Sequence, residues 1–313
     1  MPDPPLRPAA DDEGRHPPGE EPLWNESWYF DWVADGGALG GYVRLGLYPN
    51  LGVAWYTAFV TGADRPTDAV VDLEAPLPEE GSLRTQTDAI AADHVSEQAL
   101  ERFRVLCTAT GERHDDPAAL LRGETGDPSQ VEFNLTWETD GEPYQYRVAT
   151  RYEIPCRVSG KVVVDGERHE VQGTGQRDHS WGLRDWWAMN WCWMAGRLDD
   201  GSRLHAVHIR LPDSPPIGIG YVQGGGQEFV ELTAEGVDVT EELGPDGLPT
   251  AARLRLDPPG LDVEVEPIAH GPLRLLSDDG RVVRFPRVLC GLRTSDGRTG
   301  HGWIEWNLNE PRA

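Results

Sequence analysis

Lys161-Val162-Val163-Val164-Asp165-Gly166-Glu167-Arg168-His169-Glu170-Val171 decides the fold class. A β-branched run enters an Asp-Gly pair and a second run leaves it. Asp-Gly between such runs signals a hairpin, because a type I′ turn needs positive φ at both central residues. Six further pairs punctuate the chain: Asp35-Gly36, Asp140-Gly141, Asp200-Gly201, Asp246-Gly247, Asp279-Gly280 and Asp296-Gly297. A chain that turns back so often is expected to be antiparallel and all-β.

The flanking segments carry the same expectation. Val131–Trp137 is predicted to turn at Asp140-Gly141 and return as Tyr144–Val148. Trp187–Arg197 turns at Asp200-Gly201 into Arg203–Leu211, and Ile217–Val222 turns on Gly224–Gly226 into Glu228–Leu232. Helix signals are few. Asp93–Arg104 reads as a helical turn or a strand, and Asp116–Arg122 as a short helix with Pro117 at its first position. So many strands must close or stack to hide their edges, which predicts barrels or strongly bent sheets with few short helices. Residues 1–21, with six prolines and a run of acids, read as a disordered leader. A boundary near 160 then separates an N-terminal β domain, 22–160, from a C-terminal one, 161–313.

Composition excludes several partners. The 313 residues include 28 basic and 53 acidic side chains, a formal net charge of -25. Such a chain repels polyanions, so neither nucleic acid nor an anionic membrane surface is an expected partner. Apolar runs are strand-sized, which argues against membrane insertion, and the N-terminus shows no apolar signal region, so a cytoplasmic location is expected. Cys107, Cys156, Cys192 and Cys290 form no CxxC pair and are expected as reduced thiols. The unusual feature is aromatic: 12 tryptophans, five of them between Trp181 and Trp193.

Chemistry concentrates in Gly173-Thr-Gly-Gln-Arg177-Asp178-His179-Ser180-Trp181-Gly182-Leu183-Arg184-Asp185-Trp186-Trp187. On an extended strand Arg177, His179 and Trp181 share one face, and Asp178 and Ser180 the other. In the next strand Trp187, Met189, Trp191 and Trp193 line one face, a stripe that suits either the wall of an apolar cavity or an inter-sheet core. Indole faces there would stabilise positive charge. A carboxyl or imidazole desolvated against them has a shifted pKa, which is how a proton donor is obtained at neutral pH. His205 and His208 lie on the partner strand; a spacing of three sends only one of them inward. No third ligand accompanies them at metal-site spacing, so no metal is called for, and no GxSxG, HExxH or nucleotide-binding pattern occurs to call for another cofactor. Arg177–Asp178 and Arg184–Asp185 also suit ion pairs that orient a turn.

This block resembles the signature of the AttH-like and carotenoid 1,2-hydratase (hydroxyneurosporene synthase) superfamily, in a bacterial branch. Trp24-Asn25-Glu26-Ser27-Trp28-Tyr29-Phe30, with Arg44-Leu45-Gly46 and Pro49-Asn50, resembles that branch's companion domain. The resemblance implies two tandem lipocalin-like antiparallel β-barrels. In the hydratases it implies acid-catalysed addition of water to an isoprenoid double bond, with a His-x-Trp element matched here by His179 and Trp181. The downstream Tyr-x-Asp pair of those enzymes has no match in Leu204-His205-Ala206-Val207-His208. Related two-barrel proteins cyclise polyketides.

The resulting expectation is an enzyme for a hydrophobic isoprenoid- or polyketide-like small molecule, working by acid-catalysed hydration, isomerisation or cyclisation. Its catalytic candidates are Asp178, His179, Trp181 and Asp185. Arg177, Trp187, Met189, Trp191, Trp193, His205, His208 and Trp28 are the substrate-binding candidates. The alternative from another class is a lipocalin-like carrier that releases its ligand unaltered. A third reading makes the block a staple between two barrels.

Overall fold

The computed structural model describes residues 4–224 and 227–310. Two large antiparallel sheets hold most of the chain, and no helix among the described residues is long and apolar enough to cross a membrane. The first sheet takes β1 (Trp24–Ala34), β2 (Leu39–Tyr48), β3 (Val53–Gly62), β4 (Thr67–Pro76), β5 (Arg84–Gln86) and β6 (Ile90–Gln98). It continues with β7 (Arg102–His114), β8 (Asp127–Thr139), β9 (Tyr144–Gln145), β10 (Arg151–Val164) and β11 (Glu167–Leu183). The second takes β12 (Asn190–Leu198), β13 (Arg203–Arg210), β14 (Ile217–Gly224), β15 (Gln227–Glu231), β16 (Val237–Leu243), β17 (Pro249–Leu256) and β18 (Leu261–His270). A small hairpin, β19 (Leu273–Leu276) and β20 (Val282–Phe285), precedes β21 (Arg287–Thr294) and β22 (Thr299–Asn309).

The first sheet runs β4-β3-β2-β1-β11-β10-β8-β7 and closes on itself where Thr67–Ala69 pair with Glu112–His114. Closure removes the free edges that such long strands would otherwise present. Its interior holds Trp28, Phe30, Phe103, Trp137, Tyr152 and Ile154, all buried. The second sheet, β15-β14-β13-β12-β22-β21-β18-β17-β16, stays open as a half-barrel over its own core, which includes Met194, Leu254 and Trp306. A third apolar layer fills the seam between the sheets: Tyr29, Tyr42, Tyr144, Tyr146, Trp193, Tyr221 and Trp303. Trp303 of β22 donates its indole N–H to the Trp32 carbonyl of β1 at 3.0 Å across that seam.

The expected all-β architecture of two strongly bent sheets is what forms. Asp165 (φ 48°) and Gly166 (φ 84°) make the turn that joins β10 to β11. The pair Asp140-Gly141 does not join a hairpin. Val131–Trp137 instead lies between β7 and β10, while Tyr144–Gln145 pairs with Tyr152 and Glu153. Asp140 faces Arg157, Arg197 and Arg203, two of them from the second sheet. Residue 160 falls within β10, and the change of sheet comes between Leu183 and Asn190. Residues 93–104 form the end of β6, a turn at 99–101 and the start of β7 rather than a helix, and alternate residues along these strands (Ala92 and His94; Phe103 and Val105) are buried. The short helix Ala118–Arg122 follows Pro117, and Asp116 Oδ1 accepts the Ala118 N–H.

The leader expected to be disordered is built into the fold over its described part; Met1–Asp3 lie outside the described residues. A 3-10 turn at Ala10–Glu13 drops Glu13 into the ring, where an acid-rich segment finds buried donors instead of solvent.

Candidate functional site

β11 carries the site because its two faces look into different compartments. It lies between β1 and β10, in register Trp28↔His179↔Tyr152 and Tyr29↔Asp178↔Glu153. Arg177 and His179 therefore point into the ring, and Gln176, Asp178 and Ser180 into the seam. Two glycines in its middle serve close approach: a Cβ on Gly173 or Gly175 would stand 2.0 Å from the carbonyl oxygen of Val33 or Asp31 on β1.

Inside the ring the leader supplies the partners. Arg177 donates to both oxygens of Glu13 at 2.6 and 3.1 Å. Glu13 also accepts from the Tyr152 hydroxyl at 3.1 Å and the Leu100 N–H at 2.6 Å. Burial acts to raise the Glu13 pKa, but Arg177 and the Leu100 N–H outweigh it and hold the carboxyl below its usual range. His179 is fully buried and donates from Nδ1 to the Asp12 carbonyl at 2.8 Å. Its Nε2 stands 3.0 Å from Glu26 Oε1, and its ring stacks on Trp28 with centroids 4.4 Å apart. Burial holds its imidazole below the usual pKa despite Glu26. His16 packs flat on Trp181 at 3.8 Å and places Nδ1 2.7 Å from the same Glu26 oxygen.

In the seam Asp178 accepts from Arg151 Nη2 at 2.8 Å. Burial and the nearby Glu153 carboxylate push its pKa up to about 7 against the pull of Arg151, Arg184 and Arg44. Glu153 Oε1 receives Arg151 Nε at 2.8 Å and Trp193 Nε1 at 3.1 Å, and Oε2 receives Gln176 Nε2 at 3.0 Å. Burial opposes its ionisation, but Arg151 and the Gln176 and Trp193 donors keep Glu153 below its usual range. The Tyr146 hydroxyl stands 2.9 Å from Glu153 Oε1 and 2.7 Å from His205 Nε2. His205 Nδ1 donates to the Met194 carbonyl, and burial lowers its pKa to about 4, so Nε2 of the neutral ring is an acceptor. The single hydroxyl hydrogen of Tyr146 thus has two acceptors and can be handed to either. Asp31, on the same face of β1, is pushed up to about 8 by burial, offset in part by the Gln176 N–H and the Tyr29 hydroxyl.

The predicted residues divide accordingly. Asp178, Trp193 and His205 meet in the seam, whereas Arg177, His179, Trp181 and Trp28 gather in and at the mouth of the ring. Asp178 and His179 are thus not brought together. Asp185 lies in the loop before β12, accepting the Trp187 N–H at 2.9 Å and facing Arg281 at 3.4 Å. Trp187 and Met189 precede β12, so the expected four-residue stripe reduces to Trp191 and Trp193. Trp187 lies under Arg281, and the Met189 carbonyl accepts from Asn307 and Asn309. Trp191 joins the seam to a cluster of Trp186, Leu275, Val283 and Phe285. His208 points away from His205 and pairs across strands with Cys192. A cleft of about 1130 Å³ lies elsewhere, lined by Ala34, Arg197, Glu241, Arg253, Glu264 and His301, and touches none of the predicted residues.

Glu13, His16, Glu26, Asp31, Tyr146, Arg151 and Glu153 escaped the sequence reading. The available signal was Glu26 and Asp31 inside Trp24–Val33, acids within an otherwise aromatic strand that is buried throughout.

One family model, described as "Domain of unknown function (DUF7064)", matches residues 9–310. No curated protein matches the chain significantly. Among solved structures, a Nitrosomonas europaea protein assigned as AttH (NE1406) superposes with a TM-score of 0.63 at 16% identity, over 91% of this chain and 92% of that one. Kievitone hydratase from Nectria haematococca gives 0.58 at 14%, over 91% and 89%. CghA gives 0.58 at 11%, over 93% and 90%. These likenesses show an AttH-like fold.

Proposed function

Because the chain belongs to the DUF7064 family, whose description names no reaction, its activity must be argued from its residues, and we propose an enzyme that protonates a hydrophobic small molecule in the seam between the sheets. The observation that carries this reading is Asp178, a buried carboxyl with a pKa pushed up to about 7, which is the range an acid needs to donate at neutral pH. The substrate class is an isoprenoid- or polyketide-like alkene. Trp193, Trp191 and Tyr146 belong to the aromatic layer of the same seam, and the indole faces would stabilise the cation formed when Asp178 delivers its proton to an alkene carbon. Water or an internal nucleophile then quenches the cation, and the proton it releases restores the Asp178 carboxyl. Hydration, isomerisation and cyclisation share this first step. A structural neighbour named a hydratase supports the first outcome.

Incubation with isoprenoid alkenes in deuterated water tests it. Deuterium should enter product carbon, at a rate that falls as pH rises through about 7, and Asp178→Asn should abolish it. Equal incorporation by Asp178→Asn would overturn the mechanism. Ligand bound with quenching of Trp fluorescence and recovered unlabelled would establish the carrier instead.

A further inference from the structure

We propose that His16, Glu26 and His179 form a binding site for a divalent transition metal of the zinc class, which clips the leader onto the ring. The three donor atoms, His16 Nδ1, Glu26 Oε1 and His179 Nε2, lie within 4.8 Å of one another. Glu26 Oε1 is 2.7 Å from the first histidine and 3.0 Å from the second. Donors in a tetrahedral zinc shell stand roughly 3.4 Å apart, given metal–ligand distances of about 2.1 Å, so side-chain shifts of about 1 Å complete the geometry.

The surroundings are those a metal centre uses. The Asp12 carbonyl can only accept, so the hydrogen of His179 is fixed on Nδ1, and Nε2 is the nitrogen whose lone pair faces Glu26. The remaining nitrogen of His16, Nε2, looks toward Asp12 Oδ1 at 3.9 Å. The backbone N–H of His16 bonds both Glu26 oxygens at 3.0 Å, which fixes the carboxylate. Both rings are clamped by indoles, His16 by Trp181 and His179 by Trp28. Two imidazoles and one carboxylate select zinc and its neighbours over magnesium or calcium, which take oxygen shells. The donors come from the leader, β1 and β11, which explains why no spacing in the sequence announces them.

The test uses the full chain, stripped with chelator and then titrated with Zn²⁺ and, separately, Co²⁺. One equivalent of Zn²⁺ should bind, Co²⁺ should give visible ligand-field absorption, and trypsin should cut after Arg15 faster in chelator than in Zn²⁺. His16→Ala and His179→Ala should each weaken Zn²⁺ binding by at least the roughly 10- to 100-fold that loss of an outer-shell partner costs, while His16→Asp retains it. His16 is on the leader and partly exposed, so His16→Ala decides the matter if the buried His179→Ala fails to fold. Substoichiometric Zn²⁺ binding by the folded wild type, or unchanged affinity in His16→Ala, overturns the proposal.

Discussion

Asp178 and His179 are neighbours in sequence that occupy opposite sides of one sheet: Asp178 meets Arg151 at 2.8 Å in the seam, and His179 meets Glu26 at 3.0 Å inside the ring. A substitution at one should leave the other's compartment intact, so the two faces of β11 can be tested separately.

Glu13 is the leader's buried ionic anchor, paired with Arg177. Replacing it with alanine leaves Arg177 charged, 2% exposed and without its carboxylate. Removing one partner of a buried ion pair costs about 3–5 kcal/mol. Urea unfolding of Glu13→Ala should show that loss, whereas alanine at the exposed Glu20 should leave the midpoint in place.

Acidity matters most in the seam. Burial raises the folded-state pKa of Asp31 to about 8 and of Asp178 to about 7, from 3.8. The native state therefore holds protons that the unfolded chain releases. Their stabilising contribution is complete below about pH 4 and is lost as pH rises through 7 and 8, each with a slope of up to ~1.4 kcal/mol per unit. In Asp31→Asn the fall in unfolding free energy between about pH 5 and 8 should be shallower than in the wild type. Parallel curves for the two proteins would contradict the assignment.

The sheets are tied together by Trp303. In Trp303→Phe the Trp32 carbonyl loses its indole partner in a fully buried position, an expected cost of about 1–3 kcal/mol. The fluorescence-detected denaturation midpoint should drop accordingly.

The glycine inside β11 and the one in the turn before it differ in what they do. Alanine at Gly175 would place a Cβ 2.0 Å from the Asp31 carbonyl, forcing β1 and β11 apart. Alanine at Gly166 meets no atom and costs only the left-handed backbone strain of about 1–2 kcal/mol. Thermal melts should rank Gly175→Ala well below Gly166→Ala.

Much of the architecture was legible because Asp-Gly turns and alternation are local. Asp165-Gly166 and the faces of residues 177–180 read directly from two-residue periodicity. Asp140-Gly141 misled because a turn dipeptide does not say which strands it joins; here its carboxylate was recruited by three arginines. The site was legible only in half. Asp178 and Trp193 stood out, but Glu153, Tyr146 and Arg151 join them through pairings across the sheet and seam. The leader misled most, since its prolines and acids match a disordered composition while Glu13 and His16 find partners 164 and 10 residues away, respectively.

Within the ring β1 pairs with β11, where Ser27 meets Ser180, 153 residues apart. During synthesis β1 leaves the ribosome long before β11 exists to receive it. β2 can pair with one edge of β1 at once, but the other edge must wait. Trp24, Trp28 and Trp32 are then short of part of their packing, a state of the kind that invites chaperones or aggregation. The acidic leader just upstream and the heavily acidic chain as a whole keep that waiting strand in solution, so the negative charge serves the nascent protein as much as the finished one.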